Sequence, residues 1–466
     1  MGLVLDLYHQ APAPLKSLVA SARGYTLRHW RYGAQTEQLV AEAFERETWD
    51  AGQWRTWQEE RLARLLHRAA TRVPYYREAW SARRRAGDRA SWDILANWPL
   101  LDKEPLRANP KLFVANDCNP GRMYHIHTSG STGKSVDLWW SRTTCREWYA
   151  LFEARWRRWN GVNLGSRWAM LGGQLVVPQA QRKPPFWVWN QAFNQLYMSA
   201  YHLAPGLLPA YLDALRKYRI EYLWGYSSAL YSLAQSVLRE GRNDLRMAVV
   251  IANAEPLWEH QRAVIAEAFQ CPVRETYGMA EIVAGASECN EGQLHFWPES
   301  GMFEVFKEGR PVAVNEAGDL ICTGLMNQDM PLIRYRVGDR GFPLQWEHAC
   351  PCGRTLPLLP GIEGRADDVL LTPDGREVGR LDPVFKGGMP VREAQIIQED
   401  IDRIRVKVVP ADNFCSRDVA SLQERIRQRM GDVVVIVEEV DEIPRTRTGK
   451  FKAVVSLLKD ADRSQP

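Results

Sequence analysis

No apolar run in this chain reaches the ~18 residues that a helix needs to cross a bilayer, so no transmembrane segment is expected. Asp6, His9, Pro12 and Pro14 interrupt any signal-peptide core at the N-terminus. The expectation is a soluble, cytoplasmic protein. Cysteine is sparse, eight in 466 residues, and its spacing has no disulfide-framework rhythm, which suits a reducing compartment. An excess of one charge is missing too. Sixty Lys and Arg stand against 56 Asp and Glu, and the net +4 is too small to argue for a nucleic-acid partner. Repeats and low-complexity tracts are absent.

What is present is ordinary globular composition, 45% hydrophobic and 25% charged, on a chain long enough for two or three domains. Arginines crowd the N-terminal region at Arg55, Arg61, Arg64, Arg68, Arg72, Arg77 and Arg83 to Arg85. Their spacing fits the wet face of amphipathic helices better than a polyanion site. Residues 12–33 predict a further helix, resting on its own protein or on a membrane. Tryptophan is abundant, 19 residues, concentrated at Trp139, Trp140, Trp156, Trp159, Trp168, Trp187 and Trp189. Core packing accounts for most of them, and a minority would wall an apolar acyl pocket.

Periodicity predicts helices over 36–86, with Pro74 stopping the Leu62–Val73 run. Strand–helix alternation follows: helix 207–218, strand 220–225, helix 227–239, strand 247–252, helix 255–269. That alternation predicts a parallel sheet covered by helices, followed by a β-rich subdomain over 301–340. The fold class is therefore α/β, a large N-terminal domain of residues 1–365. A boundary at Gly364-Arg365 divides it from a small, mobile α+β domain of residues 366–466. The smaller domain has a hairpin signal at Pro373-Asp374-Gly375, a strand at 403–409, a helix at 416–430 ended by Gly431, and a strand at 433–440.

Two loops carry chemistry. His127-Thr128-Ser129-Gly130-Ser131-Thr132-Gly133-Lys134-Ser135 has small residues that let backbone N–H groups close on an anion, hydroxyl donors, and one cation. The common phosphate loop needs a glycine where this chain has Thr128, so a polar surface turn is the competing reading. Near the chain end, Arg445-Thr446-Arg447-Thr448-Gly449-Lys450 is a basic loop suited to carry a lysine into a site. Between them stand Tyr277-Gly278-Met279-Ala280-Glu281, Tyr335-Arg336-Val337-Gly338-Asp339 and Gly364-Arg365-Ala366-Asp367-Asp368.

This ordered set resembles the adenylate-forming superfamily of acyl-CoA synthetases over essentially the whole chain. Within it the chain is most similar to the phenylacetate–CoA ligase-like, CapK-like branch, on five further segments: Val73-Pro74-Tyr75-Tyr76-Arg77, Pro99-Leu100-Leu101-Asp102-Lys103-Glu104, Leu223-Trp224-Gly225-Tyr226-Ser227-Ser228, Cys350-Pro351-Cys352-Gly353-Arg354-Thr355 and Val391-Arg392-Glu393-Ala394-Gln395-Ile396. The resemblance implies ATP-dependent activation of a small carboxylic acid as acyl-AMP, and the Trp-rich stretch favours an aromatic or apolar one. Pyrophosphate is released, and the acyl group passes to a thiol such as coenzyme A. An amine, a saccharide hydroxyl or a carrier-protein thiol is the alternative acceptor, and an oxyanion such as nitrite the alternative substrate.

By the same resemblance, Thr128, Ser129, Gly130, Ser131, Thr132, Gly133 and Lys134 would hold the β- and γ-phosphates. Glu281 would hold Mg²⁺, a hard cation that prefers carboxylate. Tyr277 and Gly278 would flank the nucleotide, and Ala254 and Glu255 would lie against the adenine. Asp339 would accept the ribose hydroxyls, with Arg365 as a donor beside it. Asp367 would be the hinge about which the tail swings, and Lys450 the lysine that bridges substrate carboxylate and α-phosphate. One departure is on view: the loop runs Lys134-Ser135-Val136 where many relatives have proline, which leaves its exit geometry open.

Cys289 and His295 are six apart, and Cys350 and Cys352 two apart. Two short ligand pairs brought together by a fold would make a closed Cys₃His site for structural Zn²⁺. Relatives in the branch carry zinc at the matching positions. The competing readings are four unrelated buried residues, or His348 in place of His295.

Overall fold

The structure is a computed structural model. It describes residues 8, 10–128, 136–174, 176–178, 181–203, 206–365, 370–373, 377–378, 381–385, 389–444 and 451–458. The expected loop residues 129–135, the hinge Asp367 and the basic loop 445–450 with Lys450 lie outside the described residues.

An eight-stranded sheet forms the centre, in the order 294–296, 285–288, 273–278, 249–253, 222–226, 168–172, 195–199, 187–190. Its five middle strands, from 273–278 to 195–199, run parallel, and antiparallel strands close both ends. Helices Leu208–Lys217, Ser227–Arg239 and Glu259–Phe269 connect the parallel strands. Side chains alternate with the period of a strand and bury both faces. Ala169, Leu223 and Val250 pack with those crossover helices. Trp168, Tyr222, Val249 and Ile251 face an aromatic layer built from Thr36–Arg46 and the helical run after Arg142.

Antiparallel strands Arg310–Pro311, Gly301–Lys307, Gly318–Gly324, Tyr335–Gly341 and Ile362–Arg365 make the β-rich layer. It shares one core with helices Ala51–Arg72 and Pro74–Arg85 and with the hairpin of Tyr124–His127 on Asp137–Trp140. Pro74 ends one helix as expected, and it also opens the next, because its missing N–H falls where a first-turn donor has no partner anyway. Several of the crowded arginines are paired: Arg61 with Glu147, Arg68 with Asp117 and Asp329, Arg83 with Asp88, Arg85 with Glu78.

The tail is a four-stranded sheet, ordered 434–439, 403–410, 391–400, 454–456, with helix Ser416–Met430 against it. Gly431 ends that helix at φ +85°, a conformation glycine adopts without steric cost. Short strands Leu370–Leu371 and Glu377–Val378 pair as the expected hairpin. The predicted helix from Glu255 starts only at Glu259. Ala254 at φ +61° and Pro256 turn the chain first.

The N-terminal helix Ala13–Arg31 covers the edge strand Trp187–Asn190 with its small residues. Trp189 N donates to Ser17 Oγ at 3.1 Å and Gln191 N to Ser21 Oγ at 3.1 Å. A Cβ on Gly24 would sit 2.1 Å from Asn190 Oδ1, so only glycine permits this approach. Among the described residues no helix is long and apolar enough to cross a membrane.

Candidate active site

The strand Val273–Gly278 runs out of the central sheet and returns as Gly285–Glu288, with Gly278 opposite Gly285. Glu281 lies in the intervening turn and is 8% exposed. Across from it, Tyr335 opens a strand of the β-rich layer and Asp339 stands four residues on, on the same face. Two reciprocal bonds join the pair of segments. Tyr277 Oη donates to Asp339 Oδ2 at 2.9 Å, and Tyr335 Oη donates to Glu281 Oε1 at 3.0 Å. Burial first, and the Asp339 carboxylate second, push the Tyr277 phenol well above its ordinary range, so it stays a neutral donor.

Arg365 is the register partner of Asp339 across the antiparallel strands, so the two residues expected at a ribose stand side by side on the backbone. Gly278 needs no glycine for the sake of its own protein. A Cβ there would meet nothing closer than 3.8 Å, and the residue is exposed, so the open space lies on the outer side of the strand end. The second oxygen of Glu281 takes no hydrogen bond among the described residues.

Thr128 pins both ends of the phosphate-loop segment. Its N–H donates to Val136 O, and Val136 N donates back to Thr128 Oγ1, each at 3.0 Å. Val136 and Leu138 belong to the same hydrophobic core as Tyr277, Met279 and Tyr335.

Glu255 does something the sequence did not suggest. Its Oε2 accepts Ser228 N at 3.0 Å and Ser227 Oγ at 3.3 Å, at the start of helix Ser227–Arg239. A carboxylate there meets unpaired N–H groups and the positive end of the helix dipole. Its Oε1 accepts Phe451 N at 2.7 Å. Phe451 directly follows Lys450, so the tail crosses the large lobe at the segment 253–256. Trp258 stacks on Phe385 of the tail nearby, ring centroids 5.8 Å apart. Ala254, between strand and carboxylate, is held in the left-handed region that side chains rarely adopt.

The sulfur pairs meet. Cys289, His295, Cys350 and Cys352 bring their donor atoms within 4.8 Å of one another, and His348 is not of this group. Cys289 Sγ lies 3.8 Å from Cys350 Sγ, and Cys352 Sγ 3.4 Å from His295 Nε2. Bonds of ~2.3 Å to sulfur and ~2.1 Å to nitrogen at tetrahedral angles require separations of about 3.8 and 3.6 Å. His295 Nδ1 engages Leu356 O at 2.9 Å, which aims Nε2 at the sulfurs.

Residues 370–457 match the sequence family described as the CapK C-terminal domain. The whole chain is 26% identical to Protein CapK of Staphylococcus aureus, over 97% of this chain and 99% of that protein. It is also 26% identical to the phenylacetate-coenzyme A ligase of Thermus thermophilus, over 89% of this chain and 99% of that one. This chain has homologues named CapK and phenylacetate-coenzyme A ligase, each matched over most of its length. Its fold overlays on 2-hydroxyisobutyryl-CoA ligase in the postadenylation state with R3-HIB-AMP, at TM-score 0.68 and 21% identity, covering 89% of this chain and 92% of that one. Against the same ligase with 2-HIB-AMP and CoA in the thioesterification state the TM-score is 0.53, at 20% identity and 88% and 91% coverage. In this CapK and phenylacetate–CoA ligase setting, Tyr335 and the Ser227-Ser228 pair are the residues to add to the expected set. Tyr335 opens the Tyr335–Asp339 pentamer in the sequence, but spacing does not show its bond to Glu281.

Proposed function

We propose that this protein is an ATP-dependent acid–thiol ligase that works through an acyl-adenylate. It activates a small carboxylic acid with release of pyrophosphate, then passes the acyl group to a thiol, coenzyme A in the first instance. The observation that carries this reading is the contact of Phe451 N with Glu255. It brings the chain position next to Lys450 onto the large lobe, beside the strand ends that bear Tyr277, Glu281 and Asp339. The phenylacetate-coenzyme A ligase names of the relatives, and the AMP and CoA complexes of the structural neighbour, support the same chemistry.

In this reading Thr128 to Lys134 hold the phosphates with backbone and hydroxyl donors. Asp339 and Arg365 orient the ribose, and Tyr277 and Gly278 line the nucleotide. Lys450 places an ammonium between the acid's carboxylate and the α-phosphate, two anions that otherwise repel. The carboxylate oxygen then attacks the α-phosphorus, and pyrophosphate leaves. Glu281 holds Mg²⁺, which neutralises phosphate charge when bound. Residues 366–466 act as the second domain, and movement about Asp367 withdraws Lys450 to admit the acceptor. The Cys289, His295, Cys350 and Cys352 cluster holds Zn²⁺ as a staple, because four protein ligands leave no open coordination position.

Pyrophosphate release across a panel of acids, with and without coenzyme A, tests the reading. The expected result is release that requires both an acid and Lys450, with thioester formed only when coenzyme A is present. Release independent of acid and of Lys450 refutes the mechanism. Adenylation without thioester would redirect the search to an amine, a saccharide hydroxyl or a carrier-protein thiol.

A further inference from the structure

Three arginines reach into the aromatic layer behind the central sheet, and they are not partnered alike. Arg155, fully buried, forks onto Glu299 with two bonds of 2.8 Å and reaches Glu47 at 3.3 Å. Arg157, 4% exposed, bonds Glu153 at 3.2 Å, Tyr222 Oη at 2.8 Å and Tyr32 Oη at 3.1 Å. Burying a guanidinium is costly unless it is paired, and these two obey that rule.

Arg31 does not. No Asp or Glu among the described residues pairs with it. Its one hydrogen bond is a long one, Nη2 to Tyr124 Oη at 3.5 Å. Its Nε is buried with no partner. The guanidinium lies over the Tyr149 ring, 4.4 Å from its centroid, and 5.6 Å from that of Phe193. Neutral phenols and π-faces soften the charge without cancelling it. Burial works against the Arg31 charge and the Tyr149, Tyr124 and Tyr32 phenols favour it, with the balance toward the charged form, and the residue keeps part of its surface accessible.

The surroundings connect that guanidinium to the proposed chemistry. Tyr124 opens the strand that leads into the phosphate loop. Tyr149 follows Trp148, whose ring would lie 3.9 Å from a Cβ on Gly278. Tyr226 is the register partner of Asn253, and Tyr197 stands two strands further along the same sheet. Phenols therefore line the sheet beside the segment 253–255.

We infer that Arg31 is the receptor for a second anionic group at the far end of the acid substrate. This rests on the adenylation reading above and narrows it: the acid is a dicarboxylate with a flat, aromatic-compatible spacer. One carboxylate meets ATP and the other is forked by Arg31, whose planar donors match a carboxylate bidentately. The phenols between supply walls and hydroxyl donors. A monocarboxylic acid without the distal anion leaves the guanidinium uncompensated, which disfavours its binding.

The test compares matched aromatic acids, a benzene dicarboxylate and the same ring with the second carboxylate replaced by a neutral acetyl group. ATP–pyrophosphate exchange is measured with the full chain, Arg31→Lys and Arg31→Met. The expected result is a preference for the diacid of about 10- to 100-fold in kcat/KM, lost in Arg31→Met and partly kept in Arg31→Lys. Equal loss with both acids marks a structural role and overturns the inference. So does a wild-type preference for the neutral acid, or a ratio unchanged by Arg31→Met. Stabilisation of the unliganded protein against heat by the diacid alone needs no turnover. If exchange fails with every acid, the adenylation reading falls. Loss of the diacid's thermal shift in Arg31→Met would then still uphold the anion subsite, and a shift equal to wild type would remove it.

Discussion

The Cys/His cluster and the nucleotide-side cleft are built in opposite ways. The cluster is local. Cys289 and His295 flank one tight antiparallel turn, with Cys289 N on Gln293 O at 2.9 Å, and Cys350 and Cys352 share another, with Gly353 at φ +79°. Once these turns meet, all four donors are set, and burial keeps them so. The cleft is distributed. Ala254 and Glu255, Tyr277 to Glu281, Tyr335 to Asp339, Arg365 and the chain after Lys450 come from five stretches of sequence. Hydrogen bonds across sheets and one contact from the tail hold them. A local knot resists motion, whereas a distributed site can lose one wall and regain it, which a two-step ligase requires. Damage to the knot should therefore appear as lost stability. Damage to the cleft should appear as lost rate in one step.

The largest effect is expected from Lys450→Ala. Acyl-adenylate formation should fall about a thousand-fold, with the melting temperature unchanged. Transfer from a supplied acyl-adenylate to the thiol should persist, because in the proposed mechanism the lysine serves only the first step. Equal loss in both half-reactions, measured by single turnover, would break the distinction between the walls of the cleft. Next comes the knot. Cys350→Ser, or exhaustive chelation, should remove bound zinc and lower the melting temperature, while the KM for ATP of the surviving folded fraction holds. Metal analysis reads the first and calorimetry the second. Zinc-free protein that melts like wild type would end the staple reading. Asp339→Ala follows, with a KM for ATP raised about 10- to 100-fold and little change in stability, as its bond to Tyr277 lies in the cleft.

Much of this was legible in the sequence, for a physical reason. Helices Ser227–Arg239 and Ser416–Met430 show their periodicity and termini locally, and the strands of the β-rich layer show theirs. The quoted pentamers single out Tyr277, Glu281 and Asp339 through the resemblance that their order carries. What spacing cannot carry is which strand lies beside which. The Tyr335–Glu281 bond spans 54 residues and the Glu255–Phe451 bond 196. Both follow from sheet order and tail docking. The helix expected from Glu255 failed because its first residues are taken by a left-handed Ala254 and a carboxylate that serves another helix. Arg31 was invisible as a site residue. It reads as one more arginine on an amphipathic helix until Tyr124 and Tyr149 are folded around it.

Tyr277→Phe sharpens the comparison most finely. The substitution keeps the ring and its packing and deletes only the bond to Asp339 Oδ2. Asp339 is half-buried, so water can replace the phenol in part. The KM for ATP should therefore rise about 10-fold or less, and kcat and the melting temperature should stay put. If Tyr277→Phe were as damaging as Asp339→Ala, the carboxylate would be serving the phenol rather than a ribose. Asp339 would then belong with the scaffold, and the cleft would be more like the knot than the hydrogen bonds across its sheets imply.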